Sequence, residues 1–312
     1  MIELSYDHII AAAKRIAPFV RRTPTLDITL PLHDTPITLK LEHLQHSGSF
    51  KARGAFNTLL KSKVPSKGVA AASGGNHGAA VAYAARELGI KARIFVPSMS
   101  SPAKVARIAS YGAEIMQDGE NYAAALLHCQ TYQAQSGAMG IHAYDAVDTL
   151  QGQATVGLEL DQQAQDLDTV LVAVGGGGLI GGIAAYYQSR VKIIGVEPET
   201  ANALHVALAK GSPTKITPSG IAADSLGASS VGDLMFPIAK THIPFVSLVT
   251  DADIQNAQSY LWQHLQLVTE PGGAAAFASL LSGHYKPKSG ERVGVVLCGA
   301  NTPLETFAKL FL

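Results

Sequence analysis

The sequence predicts an α/β protein made of two parallel-sheet domains, the smaller inserted in the larger. Three observations carry this. Across residues 68–144, short apolar runs alternate with stretches of helical spacing, the βαβ rhythm that implies a parallel sheet covered by helices. The same rhythm resumes after Val147 and runs on to Leu297. An earlier strand–helix pair, residues 37–41 and 51–61, precedes the first run, so the larger sheet must draw strands from both sides of the insertion. The expected boundaries are residues 1–67 and 148–312 for the larger domain and 68–147 for the smaller.

In chain order, residues 6–20 space Ile9, Ile10, Ala13, Ile16, Ala17 and Val20 along one helical face, with Asp7 as the expected cap. Arg21-Arg22-Thr23-Pro24 ends that helix, because the residue before a proline avoids the α region. The strand at 37–41 leads to the helix at 51–61, with Ser49 expected as its N-cap. Inside the insertion, strands are expected at 69–72, 92–96, 113–116 and 140–144, and helices at 78–88, 102–111 and 121–135. Beyond it, helices are expected at 147–163, 179–188, 251–265 and 273–281, and strands at 169–174, 191–197, 245–249 and 293–297. Residues 213–229 form the longest irregular stretch and read as a mobile or interface loop.

With 312 residues, 47% of them hydrophobic, the chain can bury a large core. Its 24 basic side chains balance 24 acidic ones, which removes any bulk attraction to nucleic acid or a membrane surface. Aromatic residues make up only 6% and are not interleaved with basic ones, unlike the stacking surfaces of single-strand binders. Cys129 and Cys298 are too few for a disulfide framework and lack metal-ligand spacing. The start, Met1-Ile2-Glu3-Leu4-Ser5-Tyr6-Asp7, has no signal-peptide pattern, and no apolar run is long enough for a bilayer. A cytoplasmic protein acting on a small molecule is the expectation, with no nucleic acid, membrane or metal partner.

Chemistry concentrates in two glycine-rich loops and one lysine. Lys51 falls in the first turn of its helix, where the helix dipole disfavours a cation and lowers the amine's pKa. A neutral lysine is a nucleophile, a Schiff-base former or a base. Gly175-Gly176-Gly177-Gly178 follows an apolar strand and opens a helix, an arrangement suited to a phosphate. The run also matches G-x-G-x-x-G through Gly176, Gly178 and Gly181, with Glu197 near the distance expected for a ribose-binding acid, so taken alone it supports a dinucleotide-dependent oxidoreductase. Its position after an inserted domain argues against that, and the lysine would be left unexplained. Ser73-Gly74-Gly75-Asn76-His77-Gly78 follows a strand and caps a helix, offering backbone donors and a hydroxyl suited to a carboxylate.

The run His46-Ser47-Gly48-Ser49-Phe50-Lys51-Ala52-Arg53-Gly54-Ala55 resembles the cofactor-lysine motif of the serine/threonine dehydratase family, pyridoxal 5'-phosphate enzymes of fold type II. The resemblance continues in order through Ser73–Gly78, Gly175–Gly178, Glu270-Pro271-Gly272-Gly273-Ala274 and Leu297-Cys298-Gly299-Ala300-Asn301, and so spans nearly the whole chain. It implies that Lys51 holds the cofactor as a Schiff base and that Gly175, Gly176, Gly177 and Gly178 hold its phosphate. It implies further that Phe50 packs against the ring, that Cys298 faces the ring nitrogen, and that Asn76 contacts the ring hydroxyl. Ser73, Gly75, Asn76 and His77 would hold the substrate carboxylate. For Cys298 the residue-level alternative is a small buried apolar side chain, the reading kept for Cys129. Glu270 is expected to cap and complement its helix, with a role near the cofactor as the alternative.

Two departures matter. Serine racemase-like members carry a second serine where this chain has Gly74, and they ligate a divalent cation through a glutamate, a carbonyl and an aspartate. Here Glu197, Ala201 and Ala203 fill those places, and Ala203 cannot ligate. The chain also ends at Leu312, which leaves no residues for the regulatory domain of the biosynthetic threonine enzymes. The resemblance therefore implies an ammonia-lyase acting on L-serine, L-threonine or a similar β-hydroxy amino acid, in a homodimer. A larger β-substituted substrate such as hydroxyaspartate, a serine racemase, and a catalytically silent cofactor-binding protein stand as alternatives.

Overall fold

The computed structural model describes residues 4–30 and 36–311. In chain order its elements are α1 (Tyr6–Ile16), β1 (Thr25–Ile28), β2 (Ile37–Lys40), α2 (Lys51–Lys61), β3 (Val69–Ala72), α3 (Asn76–Glu87), β4 (Ala92–Val96), α4 (Pro102–Ser110), β5 (Glu114–Gln117), α5 (Tyr122–Ser136) and β6 (Met139–Gly140). There follow α6 (Val147–Gln163), β7 (Thr169–Ala173), α7 (Gly178–Tyr187), β8 (Lys192–Pro198), α8 (Ala203–Lys210), α9 (Ala223–Leu226), α10 (Phe236–His242), β9 (Phe245–Val249), α11 (Asp251–Leu265), α12 (Pro271–Leu281), β10 (Val293–Val296) and α13 (Leu304–Ala308).

Six strands form one sheet in the order β1-β2-β10-β7-β8-β9, and four form the other, β5-β4-β3-β6. All pairings are parallel except β1 with β2, where Thr25 lies opposite Lys40. Strands β2, β7 and β10 are buried along their full length, as strands covered on both faces must be. β10 sits in the middle: Val293 pairs with Ile37 on one side and Thr169 on the other.

One core packs around the larger sheet through Leu39, Leu171, Ile194, Ile180 and Phe277. A second joins Val69, Ile94, Ala80 and Val81 of the smaller unit to Ala52, Ala55, Phe56 and Leu59 of α2. The helix that begins at Lys51 is thus gripped by both units. α6 closes on it from the side. A Cβ at Gly152 would lie 2.6 Å from the Arg53 carbonyl oxygen, so glycine is what permits that approach.

The structure departs from the sequence expectations at several ends. β1 is unexpected; it follows Pro24 and alternates only weakly between exposed and buried residues. α1 stops at Ile16, and its cap is Ser5, whose Oγ accepts from His8 N, rather than Asp7. β6 ends at Gly140 instead of Tyr144. There the His142 ring takes over as acceptor, with Nδ1 receiving the Tyr144 and Asp145 N–H groups at 3.3 and 2.8 Å, a local bond that competes with the sheet ladder. The expected irregular stretch at 213–229 contains the short helix α9.

Candidate active site

Because β2, β10 and β7 are neighbours, the loops leaving their C-terminal ends place Phe50–Lys51, Cys298 and the glycine run side by side. That edge of a parallel sheet gathers helix N-termini and free backbone, which is why ligands bind there. The loop after β3 faces them from the smaller unit. A cavity between the two is lined by Phe50, Lys51, Asn76, Tyr144, the four glycines, Glu270 and Cys298.

Lys51 is stitched in place by the segment after β10. Phe50 N donates to Cys298 O at 3.1 Å, and Ser49 forms an antiparallel bridge with Gly299. That bridge holds Ser49 extended, at φ −161° and ψ 160°, so Phe50 takes the N-cap position instead. The Ser49 hydroxyl is buried with no partner among the described residues. Lys51 Nζ donates to Ala143 O at 2.8 Å and lies 5.1 Å from the centre of the Phe50 ring. Desolvation pulls its pKa down to about 8, against the opposing pull of Cys298 and Glu270. The lowering has the direction expected from sequence, with burial as its main cause.

Behind Lys51 runs a chain of side-chain bonds. Asn301 Nδ2 donates to Ser47 O at 2.8 Å and to Asn76 Oδ1 at 2.6 Å, and Asn76 Nδ2 donates to Glu270 Oε1 at 2.5 Å. Glu270 occupies the N-cap position of α12, but its side chain caps nothing and reaches into the cavity. Burial pushes its carboxyl up to about 7, while Asn76 and the nearby Lys104, Arg107 and Lys51 pull it back. Gly299 makes room for it, since a Cβ there would strike the Glu270 carboxylate. Cys298 donates to Gly272 O at 3.4 Å, and burial raises its thiol far above the usual range, so it stays protonated.

In the glycine run, Gly177 has φ +87° and a side chain there would be strained. Its neighbours are glycine because of crowding. A Cβ on Gly176 would strike the Tyr144 ring, and one on Gly175 would lie 3.1 Å from Leu226 Cα. The N–H groups of Gly176, Gly177 and Gly178 have no acceptor among the described residues. Three free donors at the start of α7 form an anion cradle.

The second cradle is at α3, where the N–H groups of Gly74, Asn76 and His77 likewise lack an acceptor among the described residues. Gly75 N donates to Ser73 Oγ at 3.2 Å, leaving that hydroxyl's proton free. His77 is buried, its Nε2 bonds Ile141 O at 2.9 Å, and desolvation lowers its pKa to about 3. The neutral imidazole is therefore taken up by Ile141, and only the backbone N–H of His77 remains for an anion. The place beside Gly74 is filled: a Cβ there would run into the Ser100 hydroxyl and lie 3.1 Å from Val96 Cγ1.

Glu197 lies outside the cavity. Both of its oxygens accept backbone N–H groups of α8, from Leu204 and His205 at 2.8 Å each, and burial raises its carboxyl to about 8. Bound to that helix start, the carboxyl cannot serve a ribose, which removes the support for a dinucleotide. Arg53, quoted within the lysine motif without a role, proves to be fully buried. It bonds Glu42 through Nε and Nη2 at 2.8 and 2.7 Å and Glu159 through Nη1 and Nη2 at 2.8 Å each. Lys40 Nζ joins at 2.9 Å from Glu159.

Residues 16–299 match the family described as pyridoxal-phosphate dependent enzyme. The chain is 38% identical over 302 residues to a phenylserine dehydratase of Ralstonia pickettii, covering 95% of this chain and 92% of that one. It is 33% identical to the catabolic L-threonine dehydratase of Escherichia coli K12, over 99% and 96% of the two chains. Among solved structures, maize serine racemase superposes with a TM-score of 0.93 at 33% identity, covering 98% and 96%. With the match extending over most of its length, and with the expected lysine and glycine cradle in one cavity, the chain belongs to the pyridoxal-phosphate dependent enzymes.

Proposed function

We propose that this protein is a pyridoxal 5'-phosphate-dependent ammonia-lyase that removes water from a β-hydroxy amino acid and releases a 2-oxo acid and ammonia. The observation that carries this is one part-buried amine, Lys51, with no ion-pair partner among the described residues, between two sets of free backbone donors. The residues fit the cofactor: three free N–H groups suit its phosphate, Lys51 its aldehyde carbon, and Asn76 and the Cys298 thiol the polar rim of its ring.

When bound, the cofactor supplies an electron sink for the charge left at the substrate's Cα. The chain's own groups do the rest. The cradle of Gly74, Asn76 and His77 holds the substrate carboxylate, with the Ser73 hydroxyl beside it. Lys51, neutral above about pH 8, serves first as the attachment point and then as the base that removes the Cα proton. Cys298 cannot place a negative charge at the ring nitrogen, because its thiol stays protonated. A weak electron sink favours elimination over transamination. We read the protein as cytoplasmic and homodimeric; no described helix is long and apolar enough to cross a membrane.

The test is release of 2-oxo acid and ammonia from a panel of serine, threonine, phenylserine and hydroxyaspartate. Binding of the cofactor without release from any of them would leave a silent cofactor-binding protein. A second reading, racemisation, is favoured by one observation, the Ser100 hydroxyl in the space beside Gly74. Chiral chromatography of serine after incubation with the parent and with Ser100→Ala decides it. D-serine formed by the parent and lost in the variant would make Ser100 the second proton donor.

A further inference from the structure

The two ends of the proposed cofactor site lie on separate elements: Lys51 starts α2, and the glycine run joins β7 to α7. One short segment, residues 142–145 between β6 and α6, touches both. Ala143 O accepts from Lys51 Nζ at 2.8 Å. The Tyr144 ring lies over Gly176, and a Cβ at Gly178 would come within 2.9 Å of Tyr144 Cβ. Asp145 reaches instead to residues 232–234, which are not among those lining the cavity.

Both carboxylate oxygens of Asp145 are used there. Oδ2 accepts the Asp233 N–H at 3.1 Å, and Oδ1 accepts the Leu234 N–H at 2.9 Å. The backbone of Asp145 is itself fixed, because its N–H donates to His142 Nδ1 at 2.8 Å. A Cβ at Gly232 would strike the carboxylate, so glycine permits the approach. The Tyr144 hydroxyl adds a further hold by donating to Ser230 O at 3.3 Å. The segment held in this way backs the glycine run. Gly232 N donates to Gly176 O at 3.1 Å. The Met235 side chain packs on Gly177, where a Cβ would lie 2.5 Å from Met235 Cε.

Four glycines in a row have no side chains to set the direction of their peptide planes. The bond to Gly176 O sets one from outside. In a trans peptide the C=O and the N–H that follows it point in opposite directions. With Gly176 O drawn to Gly232, outside the cavity lining, the Gly177 N–H is aimed the other way, into the space shared with Lys51.

We infer that Asp145 is a positioning residue for cofactor binding: through residues 232–235 it holds the Gly176–Gly177 peptide with its N–H turned toward the phosphate. This rests on the reading above that the glycine cradle takes that phosphate. A donor set in advance loses less freedom when the anion arrives, so affinity rises without any contact between Asp145 and the cofactor. By charge alone, a carboxylate near an anion site weakens binding. Charge and positioning therefore predict opposite results when the carboxylate is removed.

The full-length chain, freed of cofactor, is titrated with pyridoxal 5'-phosphate and with pyridoxal, and the lysine-bound aldehyde is read by its visible absorbance. Pyridoxal lacks the phosphate, so it reports on the Lys51 end alone. In Asp145→Ala the ratio of the two affinities should fall about tenfold, the size of one hydrogen bond to a charged group, with pyridoxal affinity unaltered. Asp145→Asn keeps one acceptor and should lose only part of the ratio. Amide exchange at Gly232 should be faster in Asp145→Ala, since its N–H is no longer held against Gly176 O. A ratio unaltered or raised in both variants overturns the inference, as does an equal loss of affinity for both aldehydes, the mark of general structural damage. If Asp145→Ala does not fold, Asp145→Asn and Gly232→Ala, whose methyl group displaces the carboxylate, decide in the same way. A parent that shows no preference for the phosphorylated aldehyde overturns the phosphate reading instead. Exchange at Gly232 then judges the hold of Asp145: faster exchange in the variant supports it, and unaltered exchange overturns it.

Discussion

Lys51 and Arg53 leave the same turn of α2 in opposite directions, one into the cavity and the other toward α6. Both are removed from water, but what each meets differs. Arg53 has carboxylates on two sides, Glu42 and Glu159, and its pKa is raised because those charges outweigh its desolvation. Lys51 meets a carbonyl, a neutral thiol and a carboxyl that burial has itself pushed up, and its pKa falls. The difference teaches what separates a structural cation from a reactive one. Burial with counter-charges fixes the proton in place, and burial without them loosens it.

Exchanging the two roles is the strongest way to break this contrast. Lys51→Ala should lower turnover by roughly 10³-fold or more, since both the attachment point and the base are lost, and should abolish the visible absorbance of lysine-bound cofactor. Retained absorbance with substantial activity would show that another amine does the work.

Arg53→Met should cost about 3–5 kcal/mol in denaturant unfolding, because Glu42 is left buried beside fewer positive charges. Lys51→Met in the cofactor-free protein should leave stability unchanged or slightly raised, since no counter-charge loses its partner. Similar losses in both variants would remove the distinction.

Gly176→Val should weaken cofactor retention by about tenfold or more on dialysis while circular dichroism stays native-like, since the side chain crowds Tyr144 and the phosphate cradle. Unaltered retention would put the phosphate elsewhere.

The smallest effect is a pH dependence. Lys51 has a folded pKa of about 8 against 10.5 for the free side chain. Between those values the unfolded chain keeps a proton that the folded protein has released. Stability of the cofactor-free protein should therefore rise with pH across that window, by up to about 1.4 kcal/mol per unit from this group. The penalty is fully present below pH 8. Cofactor loading, which needs the neutral amine, should accelerate through about pH 8. A flat loading profile from pH 7 to 9 would contradict the lowered pKa.

These contrasts bear on what sequence alone can reveal. The alternation of strands and helices, Lys51 and the glycine run were legible because each depends on local periodicity or on residues close together in the chain. Other features depend on who stands opposite. Its place before the helix predicts Ser49 as a cap, but its bridge to Gly299 comes from a segment 250 residues further on in the chain. Glu270 looked like a cap for the same local reason, and only the fold brings Asn76 to it. Arg53 gave no sign of its carboxylates, since Glu159 is contributed by α6. Tyr144 is hidden in the sequence because the apolar run predicts a strand through 140–144; the signal against it is His142, two residues earlier, with a ring able to accept backbone N–H groups and end the ladder.

The central place of β10 has a consequence for how the molecule comes into being. It is the last strand among the described residues to leave the ribosome, yet it lies between β2 and β7, made much earlier. Until it arrives, those two strands have nothing between them, and each presents an unpaired edge. Lys51 and the glycine run are then held on separate fragments of a sheet. The two proposed anchors of the cofactor, amine and phosphate cradle, come into register only when β10 inserts. Such late, long-range closure is slow, because the intervening chain must be ordered before any contact rewards it. Capture of the cofactor should therefore coincide with completion of the sheet, and the growing chain, with its open strand edges, is at its most vulnerable to aggregation until that step.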